Sequence, residues 1–119
     1  MDCKDNVVQA RSYNFAIRIV ELYKYLKNDK REFTLSRQIL RSGTSIGANV
    51  EEAIGGQSKK DFISKLSIAY KEPRETNYWL RILKDTEYIT KEEFKSIITD
   101  LDEVQKLLVN IIKTSKTNS

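Results

Sequence analysis

At 119 residues, with 39% hydrophobic and 32% charged side chains, the chain is long enough to bury one core without disulfides or metals. It has no histidine, one cysteine and one proline, which excludes His-based catalysis, a Cys or His zinc site and an intrachain disulfide. The net charge of +4 lies entirely in residues 1–60, with eleven basic and seven acidic side chains, while residues 61–119 hold ten of each. A one-sided field of this size draws polyanions or acidic proteins, more weakly than that of a dedicated nucleic-acid binder.

The first element is a helix over about 6–27, where Val8, Phe15, Ile19, Leu22 and Leu26 recur at helical spacing on one face. Ahead of it, Cys3 sits in a terminus expected to fray, and an unpaired thiol fits a reducing compartment. Asn28–Glu32 is a polar loop. A second helix spans about 34–55 on the stripe Leu35, Ile39, Ile46, Val50 and Ala53, and Gly55-Gly56 is expected to end it in the left-handed conformation. Ser58-Lys59-Lys60-Asp61, a variant capping box, opens a third helix over about 58–86 with Phe62, Leu66, Ala69, Leu80 and Leu83 inward. Pro73 falls inside it and predicts a kink near 69–73; the alternative is a helix that ends at Glu72 and restarts. Thr90-Lys91-Glu92-Glu93, a regular capping box, starts a fourth helix over about 90–113, lined by Phe94, Ile97, Leu101, Val104, Leu108 and Ile111. The tail Thr114–Ser119 is polar and expected to fray. The pattern predicts a single all-α domain over 1–119, an antiparallel up-down-up-down four-helix bundle.

All four glycines lie in SGTSIGANVEEAIGG, residues 42–56. A phosphate loop or dinucleotide fingerprint needs a preceding strand and its own spacing, and neither is present: there is no Gly-Lys-Ser/Thr ending and no Gly-x-Gly. The apolar stripe runs straight through the glycines, so Gly43 and Gly47, four apart, read as a groove that lets another helix come close. Each costs ~1 kcal/mol in helix propensity against alanine, which close packing can offset.

Several helices carry small or apolar residues on a second side. Opposite Ile39 and Ile46 lie Arg41, Thr44 and Ala48, with Ser45, Asn49 and Glu52 at the margin. Ile68, Trp79 and Ile82 lie opposite Phe62 and Leu66, beside Glu72 and Glu75. Tyr13, Ile17 and Val20 lie opposite Phe15 and Leu22. A chain this short cannot cover such faces alone, so Thr44, Ala48, Ile68, Trp79 and Ile82 are candidate oligomer contacts. The alternative is a wide core stripe in a monomer with Trp79 at its edge. Arg41 and Glu75, on neighbouring helices, could form a charge-assisted pair.

RQILRSGTSIGANVEEAIGGQSKKDFISKLSIAYKE, followed by Arg74-Glu75-Thr76-Asn77-Tyr78-Trp79-Leu80, resembles the family of 23S rRNA intervening-sequence proteins. The resemblance runs from Tyr13 to about Ile112. Its signature residues are Arg41, Ser45-Ile46, Asn49, Glu52, Leu66, Ala69 and Glu75. With Gly43 and Gly47, the polar members of this set are read as packing or assembly residues. The resemblance implies an antiparallel four-helix bundle assembled as a ring-like homopentamer, with no established enzymatic activity. It also implies kinship with the accessory variability protein of diversity-generating retroelements, a basic pentameric barrel that binds nucleic acid and a reverse transcriptase. Pro73 departs from the small residue usual at its position.

The leading functional expectation is a non-catalytic oligomer that binds RNA or a nucleic-acid-handling partner through Arg11, Arg18, Lys24, Lys27, Lys30, Arg31 and Arg37. No arginine-rich tract or aromatic stacking platform is evident. These cations could equally solvate helix surfaces and pair with Glu21, Asp29 and Glu32. The competing function is a protein-interaction scaffold without nucleic-acid binding. A metal-dependent hydrolase would rely on carboxylates such as Glu51, Glu52, Glu72 and Glu75, without the Glu-x-x-His pair of a di-iron bundle, so no enzyme and no cofactor are expected. No apolar run reaches the ~18–20 residues of a membrane span and no leader pattern opens the sequence. A soluble, cytoplasmic protein is expected.

Overall fold

The four apolar stripes become four helices. The computed structural model describes residues 3–117, with side chains from residue 7 onward. The helices are α1 (Cys3–Asn28), α2 (Leu35–Ile54), α3 (Lys59–Asp85) and α4 (Lys91–Thr117), and the described residues contain no strand. Each packs on its chain neighbours and α4 closes back on α1, giving an elongated body of 47 × 22 × 19 Å. Every stripe residue is buried, apart from Leu22, Leu35, Phe62 and Phe94, which are half-buried against the core. Ile89, in the α3–α4 turn, joins them and seals one end.

The register between neighbours runs in opposite numerical directions. Gln9 meets Glu51 on α2, while an added Cβ on Gly47 would meet Ser12 and one on Gly43 would meet Ile19. Arg41 meets Glu75 and Glu52 meets Lys65 across α2–α3; Arg11 meets Glu103 and Arg18 meets Asp100 across α1–α4. The glycines are therefore the contact surface for α1. A Cβ on Gly43 would lie 2.7 Å from Cγ1 of the fully buried Ile19, and one on Gly47 would lie 3.2 Å from the Ser12 carbonyl oxygen.

Three features differ from expectation. The α1 helix already includes Cys3, one turn earlier than the stripe requires, as cooperative propagation from a formed helix allows. The expectation for the Cys3 thiol lies outside the described side chains. The α4 helix continues through Thr117 instead of fraying from Thr114, because Ile112 packs on the core and Ser115 is half-buried; residues 118–119 lie outside the described residues. As expected, α3 is a single helix through Pro73, which is buried. The restart at Glu72 does not occur.

The third difference concerns how helices stop. Neither Gly55 nor Gly56 takes a positive φ; Gly55 has φ −80° and ψ 0°, and the last turn tightens through Gly56 N–H donating to the Ala53 carbonyl at 3.1 Å. The left-handed positions are Arg31 (φ 56°) and Glu87 (φ 67°). At the end of α3, Tyr88 N–H donates to Leu83 O at 2.9 Å and Glu87 N–H to Lys84 O at 3.1 Å, a Schellman motif with Glu87 where glycine is usual. Glu87→Gly is expected to stabilise the fold by about 1 kcal/mol, read as a higher urea midpoint, since the left-handed penalty falls on residues with a Cβ. At the start of α3 Ser58 Oγ accepts from Asp61 N–H at 3.1 Å, one half of a capping box, whereas at the start of α4 Thr90 and Glu93 cap each other reciprocally at 2.8 and 3.0 Å.

Candidate nucleic-acid interface

The residues from Lys24 to Arg37 form the tip where α1 turns into α2. Five basic and two acidic side chains fall in this stretch, +3 of the chain's net +4. The turn is built by Asp29 N–H and Lys30 N–H donating to the Tyr25 carbonyl at 2.9 and 3.3 Å, and Glu32 N–H donating to Leu26 O at 2.9 Å around left-handed Arg31. Thr34 makes no side-chain cap for α2. Glu32 does so instead, its Oε1 accepting from Ser36 N–H at 2.9 Å, which ties one of the tip's two acids to the backbone.

Three of the tip's five cations stand over rings. Lys27 lies 5.8 Å from the Tyr23 centroid, Lys30 lies 5.8 Å from that of Tyr25, and the Arg31 guanidinium lies 5.4 Å from that of Phe33. Phe33 is 42% exposed and is not one of the buried core residues. Lys24 pairs loosely with Glu21 at 3.9 Å, and Arg37 is exposed on the first turn of α2 outside the described ion pairs. Behind the tip, a cleft of about 490 Å³ lies between this turn and the α3–α4 turn, its walls carrying three basic side chains (Lys30, Lys84 and Lys91) and three acidic ones (Asp85, Glu87 and Glu93).

Arg11 and Arg18 are placed elsewhere. Arg11 pairs with Glu103. Arg18 pairs with Asp100 at 2.7 Å and also donates to the Ser96 carbonyl at 3.1 Å and hydroxyl at 2.6 Å. These bonds clasp α1 to α4, and exposed pairs of this kind each contribute ~0–1 kcal/mol. The structure thus divides the seven basic residues into a clasp of two and a tip of five.

The family-type polar residues gather on the outer seam of α2 and α3. Arg41 donates to Glu75 Oε1 at 2.5 Å, the pair expected from sequence, and Gln38 accepts from Arg41 at 3.4 Å. The hydrogen bond with Glu75 chiefly raises the Arg41 pKa above its ordinary value, against a lowering by burial, with the charges of Glu75 and Glu72 adding to the rise. Glu52 pairs with Lys65 at 3.0 Å. Ser45 and Asn49 bond their own helix: Ser45 Oγ donates to Ser42 O at 2.9 Å and Asn49 Nδ2 to Ser45 O at 2.8 Å. Thr44 does likewise, to Leu40 O at 2.7 Å.

Of the candidate oligomer contacts, Ala48 and Ile68 are exposed, whereas Thr44, Ile82 and Trp79 are half-buried. Trp79 is not the free surface ring that its place opposite the stripe suggested. It packs against the core and edge-on to Tyr78, ring centroids 5.0 Å apart, with an indole Nε1 that is buried and unpartnered. The most exposed apolar side chains on the second side of a helix are Tyr13 (61%) and Ile17 (48%) of α1 and Tyr78 (49%) of α3.

The four candidate carboxylates are held apart in function: Glu51 accepts from Gln9 at 3.0 and 3.1 Å, Glu52 and Glu75 are ion-paired, and Glu72 has one buried oxygen without a partner. Among the described residues no group of three His, Cys, Asp or Glu side chains could hold a metal ion, and no helix is long and apolar enough to cross a membrane.

The aromatic rings of the tip were missed by reading cations alone. The signal is present in YKYLKNDKREF, residues 23–33, where basic and aromatic residues alternate; the turn that folds Arg31 onto Phe33 supplies the platform that periodicity does not disclose.

A family model for the 23S rRNA-intervening sequence protein matches residues 4–110. No curated protein matches the chain. The crystal structure of a protein with unknown function from the S23 ribosomal protein family of Bacteroides thetaiotaomicron is 60% identical, its match covering 92% of this chain and 98% of that one, with a TM-score of 0.90. The family match takes in Gly43 and Gly47, the tip and the Arg41–Glu75 seam, and the chain belongs to the 23S rRNA-intervening sequence protein family.

Proposed function

We propose that the protein is a non-catalytic, cytoplasmic RNA-binding oligomer, built from a single-domain antiparallel up-down-up-down bundle and assembled as a ring, a homopentamer by family resemblance. The observation that carries RNA binding is the tip: Lys27, Lys30, Arg31 and Arg37 are exposed, lie outside the described ion pairs and share one turn of chain. Phosphates attract such a cluster, and copies repeated around a ring would multiply the contacts. The opposed helix registers and the short α1–α2, α2–α3 and α3–α4 connections favour the up-down order. Assembly is supported by the exposed Tyr13, Ile17 and Ile68 on sides turned away from the core.

The test is fluorescence anisotropy of a labelled RNA across a salt series. The expected result is binding at low salt that weakens steeply as salt rises. Absence of binding at low salt would overturn the proposal. A nucleic-acid-handling protein is the other partner this surface suits, and the same exposed apolar residues also suit a scaffold that never meets nucleic acid. Pull-down after nuclease treatment separates these, since a scaffold keeps its partners.

A further inference from the structure

Within that proposed function, the tip itself says which form of RNA it takes. Phe33 is an apolar ring in a loop, 42% exposed and not one of the buried residues that form the core. The Arg31 guanidinium lies over it at 5.4 Å, held there by a left-handed backbone (φ 56°) that disfavours a residue with a Cβ. Lys27 and Lys30 stand over Tyr23 and Tyr25 within two turns of the same chain, and Arg37 follows on α2. Rings and guanidinium planes interleaved with cations serve unpaired bases: the π-faces stack bases and the charges follow the phosphates. In a duplex the base faces are already occupied by their neighbours, so an exposed ring gains nothing from it. A bland surface would need only the cations.

We infer that the α1–α2 tip is a site for single-stranded RNA, in which an unpaired base stacks on the Phe33–Arg31 pair while Lys27, Lys30 and Arg37 hold the flanking phosphates. The inference rests on the RNA-binding reading above, and its test can fail separately. Anisotropy is measured with a labelled oligouridine and with a blunt RNA duplex of equal length, for the wild type, Phe33→Ala and Phe33→Tyr, each checked by circular dichroism. The single strand is expected to bind more tightly than the duplex. Phe33→Ala is expected to weaken oligouridine binding roughly fivefold or more, with the salt slope unchanged and Phe33→Tyr close to wild type. If Phe33→Ala leaves oligouridine affinity intact, or weakens both RNAs equally, the stacking site is overturned while RNA binding stands. If neither RNA binds at low salt, both fall, and the tip is left for an acidic protein.

Discussion

Gly43→Ala is expected to destabilise the protein by roughly 1–3 kcal/mol, although alanine is the better helix former. The new Cβ would sit 2.7, 2.9 and 3.0 Å from three carbons of Ile19, a β-branched side chain that is fully buried and cannot swing aside. Relief requires α1 to move off α2 along their shared face. Gly47→Ala comes closest to the Ser12 carbonyl oxygen, at 3.2 Å, with the Ser12 hydroxyl at 3.5 Å, and the propensity gain of ~1 kcal/mol offsets much of that contact, so its net effect is expected within about 1 kcal/mol of wild type. Urea unfolding of both variants gives the comparison. A Gly43→Ala protein as stable as wild type would mean that the glycine is not there for helix approach. The pair Gly43→Ala with Ile19→Ala adds a second check: clearing the carbons that clash should make the double variant less costly than the sum of the singles.

Ala48→Arg tests assembly by the opposite logic, a substitution that a lone chain should scarcely feel. Ala48 is exposed on the outward side of α2, and arginine is nearly as good a helix former as alanine. Within an interface the same change would bring a guanidinium into a covered surface in every subunit, a cost of several kcal/mol for each copy left unpaired. Light scattering of the wild type is expected to report a mass several times the 13.9 kDa chain. Ala48→Arg is expected to fall toward the chain mass with helicity unchanged. A wild type that runs as a 13.9 kDa particle at micromolar concentration would remove the assembly, and an oligomeric Ala48→Arg would place the interface elsewhere, on the α1 side with Tyr13 and Ile17.

Periodicity alone placed the core, because burial on one side of a helix leaves a 3.6-residue signature in apolar residues. Phe15, Ile19, Ile46, Leu66, Leu80 and Leu108 all lie inward as their spacing requires. The glycine reading followed from the same continuity, though the partner helix, α1, became known only from the packing. The Arg41–Glu75 pair was foreseen from opposite charges on adjacent helices. The helix ends were harder to read. Gly55 and Gly56 carry the usual stop signal, yet the left-handed turns fall at Arg31 and Glu87, where tertiary packing of Leu26 and Ile89 sets the chain direction against local preference. The fate of individual cations was harder still. Arg11 and Arg18 look like Lys27 or Arg37 in sequence, and only the α1–α4 register brings Glu103 and Asp100 to them, from 92 and 82 residues along the chain. Long-range pairing of exposed charges leaves no periodic trace, so a candidate site made of surface cations is the least determined part of such a reading.

The most direct measurement is therefore the salt dependence of RNA binding for wild type beside a Lys27→Ala/Lys30→Ala/Arg31→Ala/Arg37→Ala variant. With the tip as the binding surface, affinity should drop sharply at low salt. The slope of log affinity against log salt should shrink by about 0.7 for each phosphate of a single strand that the variant no longer neutralises. A variant that stays folded and binds with wild-type affinity and slope would show that these four cations only solvate the end of the bundle, and RNA binding at the α1–α2 tip would be wrong.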